Sequence, residues 1–194
     1  LRAGLFIGLE RSAEDLLSTR KPIDGRLVIV AIDDESIARI GQWPWPREVF
    51  ARAFRAMERS GAAAVGLDVM FSEPSRLGPV DDAALAAMLQ TSSMPVVLPV
   101  EASGSIRRPL DIFTGPKVSL GHVNIIADPD HVVRTFPKSL DIFRSFGEQV
   151  IIASGGSIAG AVQDIERIVY SAPAGSVRRI PFWRFLEADP PTIE

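Results

Sequence analysis

Residues 46–71 read PREVFARAFRAMERSGAAAVGLDVMF, and in them a helix pattern passes directly into a strand pattern. Within 49–57, apolar residues recur at three- and four-residue spacing, which is the period of an amphipathic helix. Pro46 suits the first helical position, and Gly61 suits the position just after a helix ends. The apolar run 62–71 that follows is typical of a strand buried on both faces. This stretch therefore predicts a helix that leads into a buried strand.

The same alternation continues on both sides of this stretch. Upstream, the apolar run 27–32 predicts another buried strand. Downstream, 81–92 predicts an amphipathic helix capped by Asp81, and 95–100 predicts a third buried strand. The order strand, helix, strand, helix, strand favours parallel pairing through right-handed crossovers. We therefore predict an α/β fold with a central, largely parallel sheet flanked by helices.

The second half of the chain has a more mixed pattern. Residues 102–117 are expected to form a loop with little regular structure. Residues 118–140 contain two β-like runs around the turn sequence DPDH, which is typical of a hairpin or of neighbouring strands. A helix is predicted within 148–165, followed by a short strand at 167–170 and a mostly irregular tail. We expect antiparallel strands here to extend the sheet. Because no repeat or linker divides the chain, we predict a single domain, 1–194.

The composition is that of an ordinary globular domain, with 46% hydrophobic and 23% charged residues among 194. A net charge of −3 gives no basic field for phosphates, so nucleic acid is not an expected partner. The absence of cysteine excludes disulfides, thiolate metal sites and thiol nucleophiles. The apolar start, 3–10, is far shorter than the roughly 20 residues that a bilayer requires.

Motifs that would indicate catalysis or a cofactor are missing. The sequence has no Walker-type phosphate loop, no GxSxG elbow and no HExxH helix. Only two histidines are present, His122 and His131, so a site of three imidazoles is impossible. We expect His122 to be a satisfied histidine of the core or its rim. We therefore predict no catalytic residue, no metal site and no cofactor.

Three carboxylates follow the predicted strands. Asp33 and Asp34 come directly after the run 27–32, and Asp68 lies near the end of 62–71. If both strands are parallel, these carboxylates meet at the edge where open α/β sheets bind ligands. They could hold a hard cation such as Mg²⁺ there, or perform acid–base chemistry. The alternative is structural, with Asp33 or Asp34 capping a short helix and Asp68 capping a turn.

The segment GQWPWPRE, residues 41–48, places two tryptophans beside two prolines. Trp43 and Trp45 each precede a proline, which favours extended geometry with both indoles on one side. Arg47 follows in the first turn of a predicted helix, where a cation is unfavourable against the helix dipole. This cost is explained if Arg47 faces an acid, and the three strand-end carboxylates are its natural partners. The tryptophans either form a wall of a ligand pocket or cover the core at the sheet edge, since aromatic residues suit both roles.

Three blocks of the chain together resemble the second type of CHASE domain, the cyclase/histidine-kinase-associated sensory extracellular domain. They are WPWPR at 43–47, GLDVMFSEP at 66–74 and DPDHVVR at 128–134, which ends in Arg134. The similarity covers 27–137. Family members usually carry glycine at the position of His131. Histidine tolerates positive φ better than most residues, so we expect the turn to survive with altered geometry.

This resemblance implies an extracytoplasmic sensor of a bacterial membrane receptor, located in the periplasm. Such domains sit between one N-terminal transmembrane helix and several later ones. The output module would be a histidine kinase, a nucleotide or diguanylate cyclase, or a serine/threonine kinase. No catalytic residue is implied for the sensory domain itself.

We therefore predict a sensory domain that receives an unidentified periplasmic small molecule or protein and relays the signal through flanking transmembrane helices, as a homodimer. The alternatives are a small Mg²⁺-dependent hydrolase that uses Asp33 and Asp68, and a purely dimerising structural module. The candidate ligand-binding residues are Asp33, Asp34, Trp43, Trp45, Arg47, Asp68 and Arg134.

Overall fold

The computed structural model describes residues 25–158, 165–168, 173 and 175–193. Its helices are α1 (Asp34–Ile40), α2 (Arg47–Arg59), α3 (Pro79–Thr91) and α4 (Phe146–Ala153), with 3₁₀ helices at Asp111–Phe113 and Phe182–Leu186. Its strands are β1 (Val28–Ala31), β2 (Val65–Gly66), β3 (Val96–Ser103), β4 (Ser105–Arg107), β5 (Val118–His122), β6 (Ile126–Ala127), β7 (Val133–Pro137), β8 (Ser139–Leu140), β9 (Phe143–Arg144), β10 (Ile165–Arg167) and β11 (Arg178–Pro181). The predicted apolar start, 3–10, lies outside the described residues.

The central sheet is built around β3. This strand pairs in parallel with β2 on one side and with β5 on the other. Its first five residues, 96–100, are all buried, as the continuous apolar run predicts. Helices pack on this sheet, and antiparallel strands follow in the second half, so the predicted α/β class is confirmed.

The pairing of β1 differs from the prediction. It pairs in parallel with β11 and not with β2, so the carboxyl ends of β1 and β2 do not share one sheet edge. The expectation of an irregular tail is wrong for the same reason, because the tail supplies β11 and a 3₁₀ helix. This contact joins residues about 150 positions apart, which local sequence patterns do not reveal.

An aromatic cluster between α2 and the tail forms part of the core, which also includes aliphatic residues of α3 and β3. Phe50 of α2 packs edge to face on Phe71 and Phe182, with ring centroids 5.2 and 5.6 Å apart. Trp45 packs on Phe182 at 5.1 Å, and Phe113 on Phe71 at 5.7 Å. Each of these five side chains is at most 3% exposed. Burial of such a ring contributes roughly 1.5–3 kcal/mol, so the 3₁₀ helix of the tail is an integral part of the core.

Helix α4 packs on the central parallel sheet and contacts all three of its strands, β2, β3 and β5. Two glycines allow this close approach. A Cβ added at Gly121 of β5 would lie 2.6 Å from the Phe146 Cα, and one at Gly66 of β2 would lie 2.6 Å from Val150 Cγ2. The helix ends at Ala153, earlier than predicted, and Gly155 follows with φ +84°. Part of the predicted helix, 159–164, lies outside the described residues.

The predicted hairpin is present as β6 and β7, which pair antiparallel, and β10 lies on the other side of β7. His131 adopts φ +64° in the turn, so the expected positive φ at this position is confirmed. The predicted loop 102–117 is partly wrong, since β3 continues to Ser103 and turns back into β4. Across the described part of the chain, no helix is long and apolar enough to cross a membrane.

Candidate functional site

A groove runs along the carboxyl ends of the parallel strands. Its first part, the strand-end hollow, has a volume of about 460 Å³ and lies where β2, β3 and β5 end. Its second part, the tryptophan–proline hollow, measures about 340 Å³ and is lined by Trp45, Arg47 and the loop 72–77. The two hollows share the lining residues Met70 and Arg107, so they lie side by side, and together they are called the groove. This is the edge at which open α/β sheets bind ligands.

The strand-end hollow carries groups of both charges. Arg107 of β4 pairs with Glu101 of β3 at 3.1 Å, and both side chains are roughly half exposed. The Asn124 side-chain oxygen accepts a hydrogen bond from the Ala102 N–H at 2.8 Å, which directs the amide NH₂ away from that bond. Among the described residues, no hydrogen bond or ion pair engages the exposed Asp68 carboxylate. The hollow therefore offers one unengaged acid, one arginine and one amide to a ligand.

Arg47 faces acids as predicted, but its partners are not the three strand-end carboxylates. Its Nε lies 3.3 Å from Oδ1 of Asp82 in α3, and both side chains are mostly buried. Its Nη2 donates to the Glu73 carbonyl oxygen at 3.1 Å, and the guanidinium sits 4.1 Å from the Phe71 ring centroid. A cation in the first turn of α2 is therefore compensated by an anion from the neighbouring helix. This arrangement makes Arg47 a rigid part of the groove wall.

Asp81 does not cap α3, whose N-cap is Gly78. Its carboxylate instead accepts the backbone N–H groups of Arg47 and Glu48 at 2.9 and 3.2 Å, so it caps α2 from another helix. It also accepts from the Ser75 hydroxyl. Burial raises the pKa of Asp81, but the bonds from Ser75 and the two backbone N–H groups outweigh it and hold that pKa below its usual range. Asp81 thereby joins α2, α3 and the groove loop.

The two tryptophans have different environments. The peptide bond between Trp43 and Pro44 is cis. Trp45 is 3% exposed, and its Nε1 donates to the Gly41 carbonyl oxygen at 2.8 Å. Trp43 packs edge to face on Trp45 at 5.2 Å and is 37% exposed. Trp45 thus belongs to the core and to the groove wall at once, which combines the two predicted roles, whereas Trp43 does not line the groove.

Asp33 and Asp34 do not line the groove. Asp33 is the N-cap of α1 and accepts from the Ser36 N–H at 2.9 Å. Its hydrogen bonds with Ser36 lower the pKa of this carboxyl. Asp34 is the exposed first residue of α1. The capping alternative is therefore correct for Asp33.

Arg134 also lies elsewhere, in β7 of the antiparallel sheet. Its Nη1 contacts the carboxylates of Asp128 and Asp130, both at 2.9 Å, so it ties strand β7 to the DPDH turn. No three histidine, aspartate or glutamate side chains in the described ranges cluster in a way that could hold a metal ion. Asp33 and Asp68 follow strands of different sheets, so the shared sheet edge from which the hydrolase alternative was argued is not present among the described strands.

The sequence did not indicate three groove residues, namely Glu101, Arg107 and Asn124. Glu101 and Arg107 face each other because β3 and β4 form a hairpin in a stretch that was expected to be a loop. Asn124 is the second residue after the end of β5, and the only available signal is a polar side chain shortly after a buried strand.

A family model of the CHASE2 domain matches residues 1–193. The match extends beyond 27–137, the part on which the resemblance rested, at both ends. No curated protein and no solved structure matches the chain. The chain belongs to the CHASE2 domain family, a family of extracellular sensory domains of signalling receptors.

Proposed function

We propose that the groove at the carboxyl ends of β2, β3 and β5 is where this domain binds its signal, a small periplasmic molecule. The observation that supports this most is the unengaged Asp68 carboxylate, which shares a hollow of about 460 Å³ with Arg107 and Asn124. A few convergent polar groups in a concavity on a rigid sheet are typical of small-molecule sites. Apolar surface from Met70 and Ile125 completes the hollow.

Of the seven residues predicted from the sequence, we assign a direct ligand contact to Asp68 alone. Trp45 and Arg47 form the groove wall, and their burial fixes its shape. Asp33, Asp34, Trp43 and Arg134 act outside the groove.

In the full receptor, we propose that this binding is relayed by a population shift between two arrangements of a homodimer. A ligand changes the output only if it binds one arrangement better than the other, and the bias cannot exceed that difference in affinity. Flanking transmembrane helices would transmit the change to a histidine kinase, a nucleotide or diguanylate cyclase, or a serine/threonine kinase.

Thermal unfolding of the domain tests the proposed site. The panel contains small anions, amino acids, sugars, peptidoglycan fragments and divalent cations. A compound at about 100 times its dissociation constant should stabilise the domain by roughly 2.7 kcal/mol, which raises the midpoint clearly. Asp68→Asn should abolish this stabilisation, and Asp34→Asn, an exposed acid outside the groove, should leave it intact.

A stabilisation that persists in both Asp68→Asn and Arg107→Ala would place the binding site elsewhere. If no compound stabilises the wild-type domain, the small-molecule proposal is wrong, and a protein partner or a purely dimerising role becomes the better account.

A further inference from the structure

His122 is a buried histidine whose ring nitrogens make no well-formed hydrogen bond within the described part of the chain. It is the last residue of β5, lies opposite Val100 of β3 in the parallel register and is 2% exposed. Neither Nδ1 nor Nε2 makes a hydrogen bond of ordinary geometry to any described residue, although the backbone of Pro137 and of Lys138 lies close enough to raise the pKa of the ring. His122 is therefore buried as expected but not satisfied. Buried polar atoms without partners are uncommon in folded proteins and destabilise the fold, so this one calls for a specific explanation.

Ionisable groups lie near His122 on the side of α4, whose N-cap Ser145 is adjacent to His122. Glu148, in the first turn of α4, is 7% exposed, and its Oε1 lies 3.4 Å from Lys138 Nζ. Lys138 also pairs with Glu166 of β10 at 3.2 Å. The second Glu148 oxygen, Oε2, has no hydrogen-bond partner among the described residues, and neither has Oε1 of Gln149. From the other elements packed on β5, β3 presents the apolar Val100, and the Arg144 of β9 is exposed.

Burial disfavours the protonated form of the ring, whereas the nearby Glu148 carboxylate can bind that form once it is present. Burial lowers the pKa of His122, and this effect outweighs the raising influence of the Pro137 and Lys138 backbone and of the Glu148 charge. The imidazole is therefore neutral at neutral pH. Once it takes up a proton, both ring nitrogens become donors, and the nearby Glu148 has an oxygen with no other partner to accept from it.

The two residues that follow His122 in the chain, Val123 and Asn124, lead directly into the groove. Val123, the next residue, donates its N–H to the Val100 carbonyl oxygen at 2.9 Å. Asn124 then accepts from the Ala102 N–H, and both Val123 and Asn124 line the strand-end hollow. The backbone of His122 also forms an isolated parallel β-bridge with Ser145, which is the N-cap of α4. His122 thus lies in the chain and in space between the start of α4 and the wall of the groove.

We propose that His122 is a proton-binding site through which acidification outside the cell changes the strand-end hollow. On protonation, the imidazolium pairs with Glu148, draws this carboxylate away from Lys138 and shifts the first turn of α4 against β5. The effect on the groove rests on the proposed function, whereas the protonation of His122 does not.

The sign of the stability effect follows from the direction of the pKa shift. The ordinary histidine pKa is about 6.5, and that of folded His122 is lower, so the unfolded chain binds the proton more tightly. The contribution of neutral His122 to stability is complete above about pH 6.5 and is lost as the pH falls toward the folded-state pKa.

The test is a pH titration of the wild-type domain by NMR, without any ligand. The chain has two histidines, so the two ring signals can be assigned with one His131→Gln variant. We expect the His122 ring to titrate below about pH 6.5. We also expect the Ala102 amide and the Asn124 side-chain amide to shift with the same midpoint. His131→Gln, which changes an exposed turn residue, should retain these transitions, and His122→Gln should lose them.

The proposal is overturned if His122 titrates at or above the ordinary value, or stays neutral until the domain unfolds. It is also overturned if the Ala102 and Asn124 signals do not follow the His122 titration. The wild-type titration decides the question even if His122→Gln fails to fold. Because no ligand is present, this outcome is independent of the thermal-unfolding panel.

Discussion

Two adjacent carboxylates in the first turn of α3, Asp81 and Asp82, bind the first turn of α2. Asp81 accepts the first backbone N–H groups of α2, while Asp82 holds the Arg47 side chain and accepts the Ser75 N–H at 2.9 Å. The four unpaired N–H groups at a helix start require acceptors, and Pro46 has no side-chain acceptor to offer. The neighbouring helix meets this requirement, so one pair of aspartates shapes the groove wall.

Removal of one partner from the buried Arg47–Asp82 pair should be costly. Asp82→Ala leaves the Arg47 charge largely buried without its anion, and such losses destabilise proteins by about 3–5 kcal/mol. The matched control is Glu35→Ala, which breaks the Glu35–Arg39 pair, both of whose side chains are about half exposed. There we expect about 0.5 kcal/mol. Urea unfolding measures both, and comparable losses in the two variants would contradict the structural role of the buried pair.

Asp81 should contribute to stability in a pH-dependent way. Its pKa is lower in the folded chain than the ordinary value of about 3.9, so its contribution is complete above about pH 4 and is lost as the pH falls further. Asp81→Asn should therefore reduce the free energy of unfolding by about 1 kcal/mol at pH 7. The difference from wild type should shrink in acid. A difference that remains constant down to about pH 2 would show that the charge of Asp81 is irrelevant.

At the scale of elements, α4 depends on glycine at the strand it covers. An added Cβ at Gly121 would meet the Phe146 backbone, which cannot move aside as a flexible side chain can. Gly147, within α4, has nothing within 4 Å of its added Cβ. Gly121 is therefore crowded and Gly147 is open, so Gly147→Ala serves as the control for Gly121→Ala.

Gly121→Ala should destabilise the domain by about 1–3 kcal/mol, because overpacking forces the helix away from β5. Gly147→Ala should be neutral or stabilising by up to about 1 kcal/mol, because alanine favours a helix. Chemical denaturation of the two variants measures this contrast. Equal stability of Gly121→Ala and wild type would mean that α4 does not lie directly on β5.

The sequence predicts elements that are locally encoded and misses those that depend on distant contacts. The amphipathic pattern of α2 and the apolar run of β3 were recognisable because burial imposes a period or a continuous run. The partner of β1 was not, because β11 lies in a tail of prolines and arginines. The prediction that a strand-end carboxylate pairs with Arg47 is wrong for a related reason, since the actual partner, Asp82, is placed by the packing of α2 on α3.

For the whole molecule, two features meet at β5. Its end borders the strand-end hollow, and its last residue is the buried His122. Asp68 was identified from the rule that ligands bind at the carboxyl ends of parallel strands. Trp45 and Arg47 were also predicted, whereas Glu101 and Arg107 were not, since the β3–β4 hairpin that brings them together has no distinctive pattern.

NMR mapping shows directly whether the groove binds the signal. The compound that stabilises the domain most is titrated into the labelled wild-type protein. We expect the largest shifts at Asp68, Ala102 and Asn124, with little change around Asp34 in α1 or Arg134 in β7. Largest shifts at α1 or at the β6–β7 hairpin, with the groove signals unchanged, would mean that the groove is not the binding site.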